Sequence, residues 1–113
     1  MILSIVRMTI PPQRRGQVSK TLKSMVRETG IKPGCLSSRL YHDENEEAVF
    51  MCEQVWRNQD DLNLYLRSED YRHMLLIMEL AGEPPEIKFQ TISELAGIEV
   101  IEKARGTTRN GDV

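Results

Sequence analysis

Cysteine is scarce in this chain. Two residues in 113, Cys35 and Cys52, fall far short of a disulfide scaffold and lack the clustered spacing of a structural zinc site. His42 and His73 are equally isolated, so a metal site would need carboxylates gathered by folding, and no metal or cofactor is expected. No apolar run approaches the roughly 20 residues that span a bilayer. Met1 to Val6 also lacks the basic start and the apolar stretch of roughly 7 to 15 residues that mark a secretory signal, so a cytoplasmic location is expected. Neither sign of charge dominates. A net charge of -2 provides no field to recruit nucleic acid or an anionic membrane, and neither is an expected partner. The length suits one domain, small enough that oligomerisation would help to stabilise it.

What is present is a regular succession of strand and helix patterns. Residues 2–10 place Leu3 and Ile5 on one face and Ile2, Val6, Met8 and Ile10 on the other, so both faces of this strand need cover. Pro11 and Pro12 stop the strand and suit a helix start, after which Val18, Leu22, Met25 and Val26 recur at helical spacing as far as Gly30. The outer face of that helix carries Arg14, Arg15, Lys20, Lys23 and Arg27. It reads as a solvated face, because nothing aromatic is interleaved with the charges. Pro33 and Gly34 open a second strand that runs to about Tyr41, and the acidic turn from Asp43 to Glu46 leads into a third, Ala48 to Trp56, so the two form a hairpin.

Asn58 can cap the next helix, with Asp60 and Asp61 in its first turn, and Ser68 followed by Glu69 and Asp70 marks a second start. The spacing predicts that Tyr71, Met74, Leu75 and Met78 face the core before Gly82, Pro84 and Pro85 end the helix. Ile87 to Ile92 reads as a fourth strand, and Ile98 to Ala104 either extends the sheet or crosses to a partner. The small, polar stretch 106–113 should be a flexible tail, leaving residues 1–105 as the domain. The order strand, helix, strand, strand, helix, strand is the split βαβ arrangement of ferredoxin-like α+β domains. Two helices cover only one face of such a sheet, so a second copy is expected on the other.

The run from Val49 to Tyr71 holds a strand ending in Trp56, a polar corner and a helix broken at Ser68. Together with Pro33-Gly34-Cys35-Leu36 it resembles the antibiotic-biosynthesis monooxygenase family, and the resemblance extends from Met1 to about Arg105. It implies a homodimeric α/β barrel with a pocket between each sheet and its second helix. It further implies oxidation of aromatic or quinol-like substrates by oxygen, without metal or flavin. Two positions before the tryptophan, where quinol-oxidising members often have Glu, this chain has Gln54. The helix position that is His in many members is Tyr65, a second His position is Asp70, and Tyr71 takes the usual Phe place. The resemblance makes Arg7 and Tyr65 the candidate catalytic residues, as electrostatic stabiliser and orienting donor, and Gln54, Trp56 and Tyr71 the candidate substrate-binding residues. The positions matching the haem-cleaving branch fall on Val6, Tyr65 and Leu75, with no axial ligand among them, so haem cleavage is not expected.

Each candidate also has an ordinary structural reading. Arg7, a charge between apolar positions, needs a counterion, and Glu53 or a partner carboxylate would serve. Trp56 can be a core plug under the second helix, and Tyr65 a plain core aromatic. His73, beside Arg72, and His42, before the acidic turn, read as surface residues. Cys35 and Cys52 are directly opposite if Tyr41 pairs with Glu46, and diagonal if His42 pairs with Glu47. Two functions stand: a cofactor-independent monooxygenase for a small aromatic or quinol, and a non-catalytic dimeric module that binds a small apolar ligand or acts as a scaffold. What separates them is whether polar groups, Tyr65 and Arg7 first among them, converge on one cavity.

Overall fold

A computed structural model describes residues 1–106. β1 (Ile2–Thr9), α1 (Pro12–Gly30), β2 (Cys35–His42), β3 (Val49–Trp56), α2 (Gln59–Leu66), α3 (Glu69–Glu79) and β4 (Glu86–Thr91) are followed by α4 (Ile98–Arg105). The strands form one sheet in the order β2-β3-β1-β4, with antiparallel neighbours throughout. This is the ferredoxin-like arrangement the sequence predicts. Along β1 the alternation of side chains sorts residues by parity. Ile2, Ser4, Val6 and Met8 are buried under the helices, whereas Leu3, Ile5, Arg7 and Thr9 remain partly exposed on the other face. Val18, Leu22, Val26 and Thr29 of α1 close the core from above. Among the described residues no helix is long and apolar enough to cross a membrane.

The expected caps are in place. Asn58 accepts a hydrogen bond from the Asp61 backbone N–H at 2.9 Å, and Ser68 accepts one from Tyr71 at 3.2 Å while donating to the Tyr65 carbonyl at 2.6 Å. Ser68 thereby satisfies donors and acceptors at the break between α2 and α3. Gly34 has φ of 85°, and a side chain there would run into Asp61, so the turn into β2 requires glycine on two grounds.

Three expectations are corrected. The hairpin is wider than either register considered for it: Tyr41 pairs with Met51 and His42 with Phe50, leaving 43–48 as a loop in which the Asp43 carboxylate accepts from the Asn45 and Glu46 backbones at 2.8 and 2.9 Å. Cys35 consequently lies opposite Trp56, while Cys52 lies opposite Leu40. Four residues of strand, roughly 13 Å, separate the two levels, beyond the reach of a disulfide, and both thiols are free.

Secondly, residues 98–105 are helical, not a strand. Their apolar positions fit period 2 and period 3 about equally, and helix is favoured by Glu99 at its start, by Lys103 and Arg105 at its end, and by Gly106 at φ 70° as its stop. No residue of α4 is buried, and the radius of gyration of 17.4 Å exceeds the roughly 13 Å usual for a compact chain of this size. Of the tail expected at 106–113, only Gly106 is described; residues 107–113 lie outside the described residues.

Thirdly, Leu75 is 46% exposed, and Ile77 takes the core place predicted for it. At 100° per residue, Tyr71, Met74, Ile77 and Met78 fall within one third of the helix circumference, whereas Leu75 lies about 40° outside that arc. Truncation should separate the two positions. Ile77→Ala is expected to cost about 2 to 5 kcal/mol, and Leu75→Ala under about 1 kcal/mol, as measured by urea denaturation of each variant.

Candidate functional site

The parity of β3 places Phe50, Cys52, Gln54 and Trp56 on the helix-covered face, and α2 brings Tyr65 over Gln54 and Trp56. The Trp56 and Tyr65 rings stack at 4.8 Å, and Tyr71 from α3 meets Tyr65 edge-on at 5.2 Å. A hydrogen-bonded chain runs through this cluster. The Trp56 indole N–H donates to Gln54 Oε1 at 3.4 Å, and Gln54 Nε2 donates to the Tyr65 hydroxyl at 3.2 Å. Since indole is a donor only, the Gln54 carbonyl must face Trp56 and its NH2 must face Tyr65. The phenolic oxygen therefore accepts from Gln54, and the buried Thr29 hydroxyl also lies within hydrogen-bonding reach of it.

Over this cluster opens a cleft of about 210 Å³, lined by Lys32, Pro33, Trp56, Asp61, Leu64, Tyr65 and Ser68. Lys32 forms an ion pair with Asp70 at 2.6 Å, which joins the turn before β2 to the first turn of α3. Burial pushes the Tyr65 phenol above its ordinary value, while hydrogen bonds from Gln54 and Thr29 pull it down and the nearby Cys52 and Asp70 push it up. Tyr65 therefore stays protonated at neutral pH and acts as a hydrogen-bond partner, not as a base.

Of the five residues singled out from the sequence, the fold brings together four. Trp56 and Tyr65 line the cleft, Gln54 sits behind Tyr65, and Tyr71 supports the Tyr65 ring without lining the cleft. Arg7 is separated from them. It pairs with Met51 across β1 and β3 on the opposite face of the sheet, where its guanidinium approaches Glu86 of β4 at 4.0 Å. The carboxylate beside it is thus Glu86 and not the expected Glu53. Arg7 and Tyr65 line no common cavity. Lys32 is the cation that the sequence reading missed. Its position beside Pro33 and Gly34 was visible, but the contact with Asp70 depends on the turn and α3 being packed together. Among the described residues, no three His, Cys, Asp or Glu side chains are grouped to hold a metal ion.

Comparison with known proteins agrees with this fold. The sequence model of the family described as antibiotic biosynthesis monooxygenase matches residues 1–75. The chain is 26% identical over 86 residues to an uncharacterised protein of Synechocystis, and the match covers 75% of this chain but only 58% of the relative's length. In three dimensions it is similar to a candidate antibiotic biosynthesis monooxygenase of Deinococcus radiodurans, with a TM-score of 0.80 at 15% identity, covering 87% of this chain and 98% of that one. It is also similar to a protein of Mycobacterium tuberculosis, with a TM-score of 0.75 at 21% identity and coverage of 85% and 98%. At such identities the structural likeness establishes the fold alone.

The buried thiol below the cluster has a measurable consequence. Burial pushes Cys52 from 9.0 up to about 12, so between those values the unfolded chain releases a proton that the folded protein keeps. The stabilisation is fully present below pH 9.0 and is lost as pH rises toward about 12, at roughly 1.4 kcal/mol per pH unit. Tyr65 and Tyr71, both raised by burial, act in the same direction at higher pH. Urea midpoints should therefore fall between about pH 8 and about pH 10, and Cys52→Val should flatten the decline.

Proposed function

The chain belongs to the antibiotic biosynthesis monooxygenase family, and from that premise we propose that it oxygenates a small aromatic phenol or quinol in the cleft over Trp56 and Tyr65. The observation that carries this reading is the chain from Trp56 through Gln54 to Tyr65, which lies against a cleft lined by Trp56, Tyr65 and Lys32. At about 210 Å³ the cleft is below the roughly 300 to 1,000 Å³ of typical ligand sites, which suits one or two fused rings. In this mechanism Lys32 stabilises the substrate phenolate, the role expected of Arg7, and Tyr65 orients it through its hydroxyl proton. The phenolate passes an electron to oxygen. One oxygen atom enters the ring as a carbonyl, and the other leaves as water with two substrate hydrogens, as in the conversion of 1-naphthol to 1,4-naphthoquinone.

Oxygen uptake with 1-naphthol provides the test, with catalase added to detect any peroxide. Uptake above the uncatalysed rate, with no oxygen returned by catalase, is expected. Tyr65→Phe should lower kcat/KM on the order of a hundredfold. Gln54→Glu, which puts beside the Trp56 indole and the Tyr65 hydroxyl the carboxylate that the family often has, should raise kcat/KM by about tenfold or more. A folded protein with no uptake over a panel of naphthols and naphthoquinols would favour a non-catalytic binding module instead.

The same reading includes a homodimer. The sheet face opposite the helices holds the partly exposed Leu3, Ile5, Met51 and Val55, and α4 carries Ile98, Val100 and Ile101 at 53 to 59% exposure. A second copy packed on that face, with α4 reaching across, would bury both surfaces. Light scattering at micromolar concentration should give twice 13.0 kDa, and a chain ending at Gly97 should lose the dimer.

A further inference from the structure

The basic side of α1 reads as solvated from the sequence because no aromatic residue is interleaved with its charges. The fold supplies the missing aromatics from another part of the chain. Arg15, Gly16 and Lys23 fall on one side of α1, beside its buried stripe, and they face the end of the hairpin where His42 stacks on Phe50 at 4.6 Å. Between them lies a cavity of about 450 Å³, within the range of small-molecule sites and more than twice the size of the cleft over Tyr65.

Two further observations point to a ligand. Arg15 lines this cavity, and its Nε is buried without a hydrogen-bond partner; a buried guanidinium donor left unpaired is costly unless an acceptor arrives. Its terminal nitrogen has only Glu47, at 3.5 Å, and that carboxylate is 84% exposed. Gly16 occupies a helical position where glycine is worth roughly 1 kcal/mol less than alanine, and a Cβ built there meets nothing within 4 Å. A side chain there would extend into open space beside the cavity that Gly16 lines.

We propose that this cavity between α1 and the β2–β3 hairpin binds an aromatic carboxylate, with its rings on Phe50 and its carboxylate on Arg15 and Lys23. The apolar floor takes the ring system, and the two cations take the acid. Glu47, now paired weakly with Arg15, is displaced by the ligand. This site is separate from the Tyr65 cleft and does not depend on the activity proposed there.

The test is an amide NMR titration of the full chain with 2-naphthoate and with its neutral counterpart 2-naphthalenemethanol. Naphthoate should shift the amides of Gly16, Lys23 and Phe50 saturably, and the alcohol should bind roughly tenfold more weakly for want of the charge-assisted hydrogen bonds. Gly16→Leu, whose side chain fills the cavity, should abolish these shifts. Glu47→Gln frees Arg15 and should tighten naphthoate binding by about two- to fivefold. Should Gly16→Leu not fold, Arg15→Gln serves in its place and should weaken naphthoate by roughly tenfold while leaving the alcohol unchanged. Equal affinity for acid and alcohol, shifts confined to the amides around Leu64 and Tyr65, or no saturable shift would each overturn the proposal.

Discussion

The alternation of side chains along the central antiparallel pair β1 and β3 is the constraint on which the rest of this structure depends. The two strands pair over their whole length, from Ile2 with Trp56 to Thr9 with Val49, so every residue is committed to one of two faces and a slip by one position would exchange them. Helices α1 to α3 supply core residues on one face only. That asymmetry puts Gln54 and Trp56 with Tyr65, and puts Arg7 on the far side with Met51 and Glu86. No side-chain rearrangement can bring Arg7 through the sheet, so its separation from the aromatic cluster is a property of register.

The cluster itself consists of neutral groups held by burial. Gln54 is 5% exposed and Tyr65 4%, and at such burial an unmatched amide or hydroxyl costs on the order of 1 to 3 kcal/mol. The chain from indole through amide to phenol matches them without introducing a charge. A carboxylate in the place of Gln54 would cost far more to desolvate than the neutral amide does. The same choice leaves this hydrogen-bonded chain without a base of its own, and the carboxylate of Asp61, which lines the cleft, is paired with Arg57 at 2.8 Å.

The break at Ser68 connects the local structure to the site. In an unbroken straight helix from Gln59 to Glu79, positions 65 and 71 would lie about 240° apart around the axis, and the two tyrosine rings could not meet as they do. Ser68 takes up the carbonyl of Tyr65 and caps α3 at once, so the chain turns a corner without leaving buried polar groups unpaired. The ion pair between Lys32 and Asp70 then ties that second start to the turn that holds Gly34.

Much of the fold was legible in the residues themselves. Pro11 and Pro12, Gly30, Asn58 and Ser68 fix helix ends by local backbone chemistry, and the alternation in residues 2–10 fixes a strand with two unlike faces. Locally encoded features of this kind need no knowledge of distant partners. The hairpin register was not legible, because the Asp43 turn closes a six-residue loop through backbone contacts that several loop lengths could satisfy. Leu75 lies about 40° outside the buried arc, and only packing against the sheet decides which side of a wide apolar stripe is covered. For the site, the sequence by itself determined that Gln54 and Trp56 would share a face, because side chains alternate along a strand, whereas Tyr65 was placed with them only by the family resemblance. Tertiary structure alone decided that Lys32, and not Arg7, is the cation beside them, and that Arg15 and Lys23 look onto Phe50. Those are contacts between elements far apart in the chain, set by how the sheet is ordered and which of its faces the helices cover.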